Sequence, residues 1–180
     1  MTVPTRRVWD PAVRILHWAL AVSFALDWAT TEWLGGWHEP VGYAALAIVA
    51  LRIAWGFVGP RYARFAQFVR GPRATLAYAR QVPAGREPRH LGHNPLGAWM
   101  VLALFGCIGG LALTGWLYKT DRFWGDETVE RVHVALAWTM LALVLLHVAG
   151  VALASFRHRE NLVAAMLTGE KREAEEHDIA

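Results

Sequence analysis

The 180-residue sequence predicts an all-α integral membrane protein, a four-helix bundle with cytoplasmic termini and interfacial helices. Three observations predict it. Four segments are apolar over the length that a bilayer crossing requires. The composition is 55% hydrophobic with ten tryptophans and a mean hydropathy of +0.25, which is unlike a soluble domain. Arginine is concentrated in three stretches that four crossings place on one side of the membrane.

The first span covers residues 11–33. Asp10 suits the cap before it and Pro11 its first turn. The basic N-terminal segment shows no small-residue cleavage site after its apolar run, so the first span is expected to be retained rather than removed as a signal. A Gly35-Gly36 turn leads to span two, residues 40–58, which stops at the Gly59-Pro60 break. Span three, residues 95–118, follows the loop His90 to Asn94. Span four covers residues 128–156, and its apolar run from Arg131 to Phe156 is interrupted only by His133 and His147. No soluble domain of useful size remains, so residues 1–180 are read as one membrane domain.

Arg6, Arg7 and Arg14 precede or open span one. Arg61, Arg64, Arg70, Arg73, Arg80, Arg86 and Arg89 fill the long loop, and Arg157, Arg159, Lys171 and Arg172 follow span four. The two short loops carry Glu32, Asp121, Asp126, Glu127 and Glu130 against Lys119, Arg122 and Arg131. The positive-inside rule then places both termini and the long loop in the cytoplasm. In that loop Tyr62, Phe65, Phe68 and Val69 alternate with arginines, the pattern of a helix lying on an anionic leaflet. Residues 161–167 read similarly, and residues 170–180 read as a charged tail with little to pack. Membrane lipid explains these basic stretches better than nucleic acid does. Trp9, Trp33, Trp37, Trp55, Trp99, Trp116 and Trp124 lie near span ends, as interfacial belts do.

Histidine position carries the functional reading. His133 and His147 are fourteen residues apart, about 21 Å of rise with a net rotation of about 40°, so they share a face at two depths. A lone intramembrane histidine can be a hydrogen-bonded packing residue, but ionisable groups in hydrocarbon are functional candidates by default. Topology brings His17 to the depth of His147 near the cytoplasmic side, and His38 to the depth of His133 near the outer side. Two couples at two depths are what two bis-histidine haems require: His17 with His147 and His38 with His133. Filled axial positions favour electron transfer over oxygen activation. Zinc is the alternative metal, but His38-Glu39-Pro40 is not an H-E-x-x-H motif and no carboxylate or thiolate lies at suitable spacing. Cys107 is the single cysteine, so there is no intrachain disulfide, and the absence of C-x-x-C-H excludes covalent haem attachment.

Arg52 lies fourteen residues after His38 on the same face, and Arg14 one turn before His17. Either guanidinium suits a haem propionate, while Arg14 also suits a snorkelling interfacial anchor. Gly106, Gly109, Gly110 and Gly115 in span three allow close helix approach or room for a flat macrocycle. Asp27 is either a proton relay for quinone chemistry or a carboxylate wetted at the outer interface.

The strings RVWDPAVRILHW, HEPVGYAALAIVALRIAWGFVGPRYARFAQFVRGP and LGHNPLGAWM, with the paired histidines of span four, resemble the prokaryotic cytochrome b561 family, which includes the b-type cytochrome subunits of nickel-iron hydrogenases. The resemblance covers nearly the whole chain. It implies a four-helix cytochrome of the bacterial inner membrane with two non-covalent b haems, ligated by His17, His38, His133 and His147. His93, in the Gly92-His93-Asn94-Pro95 string, is left out of the ligand set. The function expected is an electron conduit between quinone and a redox protein such as a periplasmic c-type cytochrome. An enzymatic alternative is a superoxide:quinone oxidoreductase, which a cationic pocket at Lys119 and Arg122 would favour. A further alternative is a haem-bearing anchor for a hydrogenase or reductase, whose catalytic domain must come from a partner.

Overall fold

A computed structural model describes residues 4–33 and 36–179. Gly35 of the expected turn lies outside the described residues, as do the side chains of Glu32 and Trp33, assigned above to the acidic loop and the interfacial belt. The helices are α1 (Pro11–Trp33), α2 (His38–Val58), α3 (Phe65–Phe68), α4 (Pro72–Gln81), α5 (Pro95–Tyr118), α6 (Glu127–Arg157) and α7 (Leu162–Thr168). Strands β1 (Thr5–Arg7) and β2 (Glu170–Arg172) form a short antiparallel ribbon. Helices α1, α2, α5 and α6 are long and apolar enough to cross a membrane. The protein is an all-α membrane protein with four spanning helices, as the apolar runs predict. Helix α6, at 31 residues, rises about 46 Å, so it tilts or projects beyond a hydrocarbon core of about 30 Å.

Side-chain caps set the helix starts. Asp10 Oδ1 accepts from the Ala12 and Val13 amides at 3.0 and 3.2 Å, which satisfies donors that the first turn of α1 leaves open. Trp55 Nε1 donates to the same oxygen at 3.1 Å. Asn94 Oδ1 takes the Gly97 amide at 2.7 Å, with Pro95 opening α5, so part of the Gly-His-Asn-Pro string is a helix start. Asp126 caps α6 through Thr128 and Val129, and Asn161 caps α7 through Ala164. Helix α7 ends at Gly169, whose φ of 89° is in the left-handed region, the usual preference at this position.

One compact unit comprises the described residues of 1–14, 54–101 and 146–180. Its core packs Val8, Trp9, Val13, Tyr62, Ala63, Leu91 and Ala165, with Trp55 and Met166 against them. Three expectations change here. Trp9 belongs to this core rather than to an interfacial belt. The long loop is a single turn of 3₁₀ helix at Arg61–Ala63 followed by α3 and α4, not one surface helix. Gly59-Pro60 and Gly71-Pro72 divide it, and Tyr62 and Phe68 turn inward, Phe68 being only 2% exposed.

The C-terminal tail is the third change, because it is packed. Lys171 is 4% exposed and Arg89 5%. Lys171 Nζ donates to the His90 and Leu91 carbonyls, both at 3.1 Å, and lies 3.2 Å from Glu160. Arg89 pairs with Glu160 at 2.7 Å and with Asp178, and it also donates to the Arg172 carbonyl at 2.8 Å. Beyond this cluster Ile179 bridges to His90. Charges tolerate burial only when partnered in this way.

The second unit, residues 15–53 and 102–145, holds the remaining lengths of the four long helices. Glycine lets α5 approach α6 closely at one point. A Cβ on Gly110 would come within 3.1 Å of Leu136. Cys107 Sγ donates to the Leu136 carbonyl at 3.3 Å.

Candidate metal centre

Within this second unit two histidines face one another. His38 opens α2 and His133 lies two turns into α6, with ring centroids 6.1 Å apart and planes at 78°. Two imidazoles bound to opposite sides of one metal by bonds of about 2 Å have ring centres roughly 6 Å apart, so the pair has the separation of an axial couple.

Hydrogen bonding fixes which nitrogen is offered. Thr114 Oγ1 lies 2.8 Å from the Gly110 carbonyl and 3.1 Å from that of Leu111, so its single proton is directed to its own helix, as mid-helix threonines commonly arrange. With its proton so engaged the oxygen is open to accept at its other contact, 2.8 Å from His133 Nδ1, in the tautomer that leaves Nε2 for a metal. His38 Nδ1 lies 3.4 Å from both the Asp27 carbonyl and Asp27 Oδ1. The carbonyl is an acceptor only, so the contact has His38 Nδ1 as the donor. Both rings then present Nε2 as a lone pair. A metal-binding histidine typically donates its second N–H to a carboxylate, carbonyl or similar acceptor, which holds tautomer and orientation.

Gly115 completes the setting of His133, since a Cβ there would touch its ring at 3.5 Å. A larger side chain at this position would crowd the imidazole. Zinc draws three or four protein ligands, whereas among the described residues no group of three or more His, Cys, Asp or Glu gathers. Haem iron takes four ligands from its own ring and needs two from the protein. The His38–His133 couple therefore fits a haem better than a bare ion.

Of the four expected ligands, the described geometry brings His38 and His133 together. His17 on α1 and His147 on α6 are each partly buried. Arg52, on α2, is 5% exposed. Arg14 donates to the Thr168 carbonyl at 3.1 Å and so helps close the C-terminal end of α7. Lys119, expected to lend charge to an outer pocket, pairs instead with Glu39, and Arg122 lies over the Phe123 ring at 5.5 Å. His93 packs between Trp9 and Phe68, with centroids at 4.8 and 4.6 Å.

Sequence reasoning missed two participants. From sequence Asp27 reads as a relay or a wetted surface group; in the fold its backbone and side chain both lie beside His38. Thr114 carried no signal at all, because a threonine in an apolar helix is read as a packing residue until a neighbouring helix is in place.

Comparison with known proteins agrees with this chemistry. The sequence pattern of the family described as prokaryotic cytochrome b561 matches residues 8–169. A protein of Bradyrhizobium diazoefficiens named "Probable Ni/Fe-hydrogenase B-type cytochrome subunit" is 23% identical over 215 aligned positions, which cover 93% of this chain and 86% of its own length. A protein of Rhizobium leguminosarum bv. viciae with the same name is 25% identical over 213 positions, covering 91% of this chain and 87% of its own. With the family pattern spanning both His38 and His133, the chain belongs to the prokaryotic cytochrome b561 family, membrane proteins that transfer electrons on haem b.

Proposed function

We propose that this protein is a di-haem conduit of the bacterial inner membrane, with both termini cytoplasmic, carrying electrons between the quinone pool and a redox partner protein. The observation that carries the reading is the His38–His133 couple, 6.1 Å apart and with each Nδ1 against an acceptor. Nε2 of each ring would hold one haem near the outer side. His17 and His147 would hold the second near the cytoplasmic side, on the strength of their sequence positions. Arg52, buried in a spanning helix, suits a propionate because a guanidinium in such a setting favours a carboxylate partner. When bound, the haems supply one-electron redox steps. The chain's own part is to hold the rings, fix the tautomers and keep the axial positions filled.

Two further features support the electron partners. Beyond His147, a groove of about 500 Å³ is lined by Val148, Val151, Ala152, Ser155 and Phe156 of α6 and Val163 of α7, with Glu160 and Asn161 at its polar end, a mainly apolar surface suited to a quinone. In the segment joining α5 to α6, Asp121, Glu127 and Glu130 are exposed together with Arg122, Arg131 and Trp124, the last 75% exposed, a mixed-charge surface with an aromatic side chain on which a redox protein could dock. A c-type cytochrome is one such partner. The names of the two relatives make a hydrogenase-type catalytic subunit the other, with this chain as its haem-bearing membrane subunit.

Haem content and potentiometric titration of the purified full-length protein test the reading. Expected are two b-type haems per chain and two one-electron waves. The 78° between the His38 and His133 planes adds a spectroscopic expectation. Parallel imidazoles donate into the same iron d orbital and split the pair, whereas crossed imidazoles leave the two orbitals nearly equal. One ferric haem should therefore give a highly anisotropic low-spin signal dominated by a single large-g feature. One haem per chain, or two rhombic signals and no large-g feature, would count against the reading.

A further inference from the structure

Resting on the assignment of His38 and His133 as one haem's axial ligands, we infer that Asp27 is a positioning residue that lowers the potential of that haem, acting through His38 Nδ1. The two axial rings are held by unlike acceptors. His133 meets a neutral hydroxyl, Thr114 Oγ1 at 2.8 Å, whose own proton is engaged with the Gly110 carbonyl. His38 meets the carbonyl and the carboxylate of Asp27, each at 3.4 Å.

Helix α1 holds the backbone of Asp27 at its loop end. Thr30 and Thr31 both donate to the Asp27 carbonyl, at 3.1 and 2.9 Å, which fixes the backbone of the turn. Across from it, Gly42 is one turn into α2 from His38, and a Cβ there would lie 4.0 Å from Asp27 Oδ2. The carboxylate thus lies against α2 beside the ring, with its side chain only 23% exposed. Its charge is poorly screened there.

The consequence for the redox couple follows from charge. One electron from the donor converts ferric to ferrous iron and removes one positive charge at the metal. A carboxylate near the axial imidazole stabilises the more positive, oxidised form, and the Asp27 carbonyl, accepting from Nδ1, raises ligand basicity. Both effects lower the potential. Thr114 gives its ring only the weaker of these, so the asymmetry belongs to Asp27.

The test is a potentiometric titration with EPR on the full-length haem-loaded protein and its Asp27→Asn and Thr114→Val variants in lipid nanodiscs. Asp27→Asn keeps the shape and the backbone acceptor but removes the charge. It is expected to retain two haems and the large-g signal, and to shift one wave, the one that disappears in His133→Ala, toward reduction by about tenfold, or about 59 mV for one electron. Thr114→Val is expected to shift the same wave by less. Two retained haems with neither wave moved in Asp27→Asn overturn the inference and leave the axial assignment standing. Two haems retained in His133→Ala overturn the assignment itself. Should Asp27→Asn lose a haem, Asp27→Glu decides: recovery of that haem at the wild-type potential supports the role, and no recovery overturns it.

Discussion

Replacing His133 by alanine is expected to remove one of two b haems, to abolish one of two redox waves, and to leave the other haem in place. The effect is large because none of the described residues packed around His133 can substitute for the imidazole. Thr114 Oγ1 is committed to the carbonyls of its own helix, Gly115 has no side chain, and Cys107 is engaged with the Leu136 carbonyl. His38 alone would hold the iron from one side, and a haem bound without covalent attachment depends on coordination and packing. Haem per chain should therefore fall from about two to about one, and the large-g signal should vanish with it. His147→Ala provides the complementary measurement: the other wave should disappear and the large-g signal should remain. His133→Met refines the test, because a thioether ligand is expected to retain the haem and raise its potential. Two haems and an unchanged EPR spectrum in His133→Ala would mean that the couple is not an axial pair.

That this couple was legible in the sequence has a simple cause. Inside a membrane the helix is the default element and its rise is fixed, so residue number translates into depth, and four histidines can be sorted before any packing is known. Asp10 was legible as a cap for a similar local reason. What holds the histidines was not. Asp27 and His38 are eleven residues apart across a turn, and Thr114 and His133 are nineteen apart on different helices. Whether they meet depends on helix rotation, which a uniformly apolar span does not encode because it has no polar face to orient it. The tail failed for the opposite reason. Glu, Lys and Arg in a short polar segment read as solvated, and only pairing over 71 and 89 residues, Arg89 with Glu160 and Asp178, turns them into buried structure.

The same cluster supplies the second large effect. Glu160 gathers four donors: Arg89 Nη2 at 2.7 Å and Nε at 3.3 Å, the Arg172 amide at 2.8 Å, and Lys171 Nζ at 3.2 Å. Burial pushes the Glu160 carboxyl up, but the Arg89 hydrogen bond and the Lys171 charge outweigh it, so the group is held below its ordinary value of 4.5. Asp178 is held below 3.8 in the same way, burial again being outweighed by its hydrogen bonds and by Arg89. Glu160→Gln preserves volume yet leaves Arg89 and Lys171 with one buried carboxylate between them, a change that typically costs about 3–5 kcal/mol. Its expected result is detachment of β2 from β1 and from the His90–Leu91 segment, read as faster hydrogen exchange of the amides of residues 170–179 at neutral pH. The pH dependence has a definite sign. A carboxyl with a depressed folded value contributes fully above its unfolded value and loses that contribution as pH falls through the folded one. The wild-type tail should therefore stay protected above about pH 4.5 and loosen progressively below it, while Glu160→Gln should already be open and change less on acidification. Equal protection of the two proteins at neutral pH would show that the tail is held by the ribbon and by Ile179 rather than by this buried charge cluster.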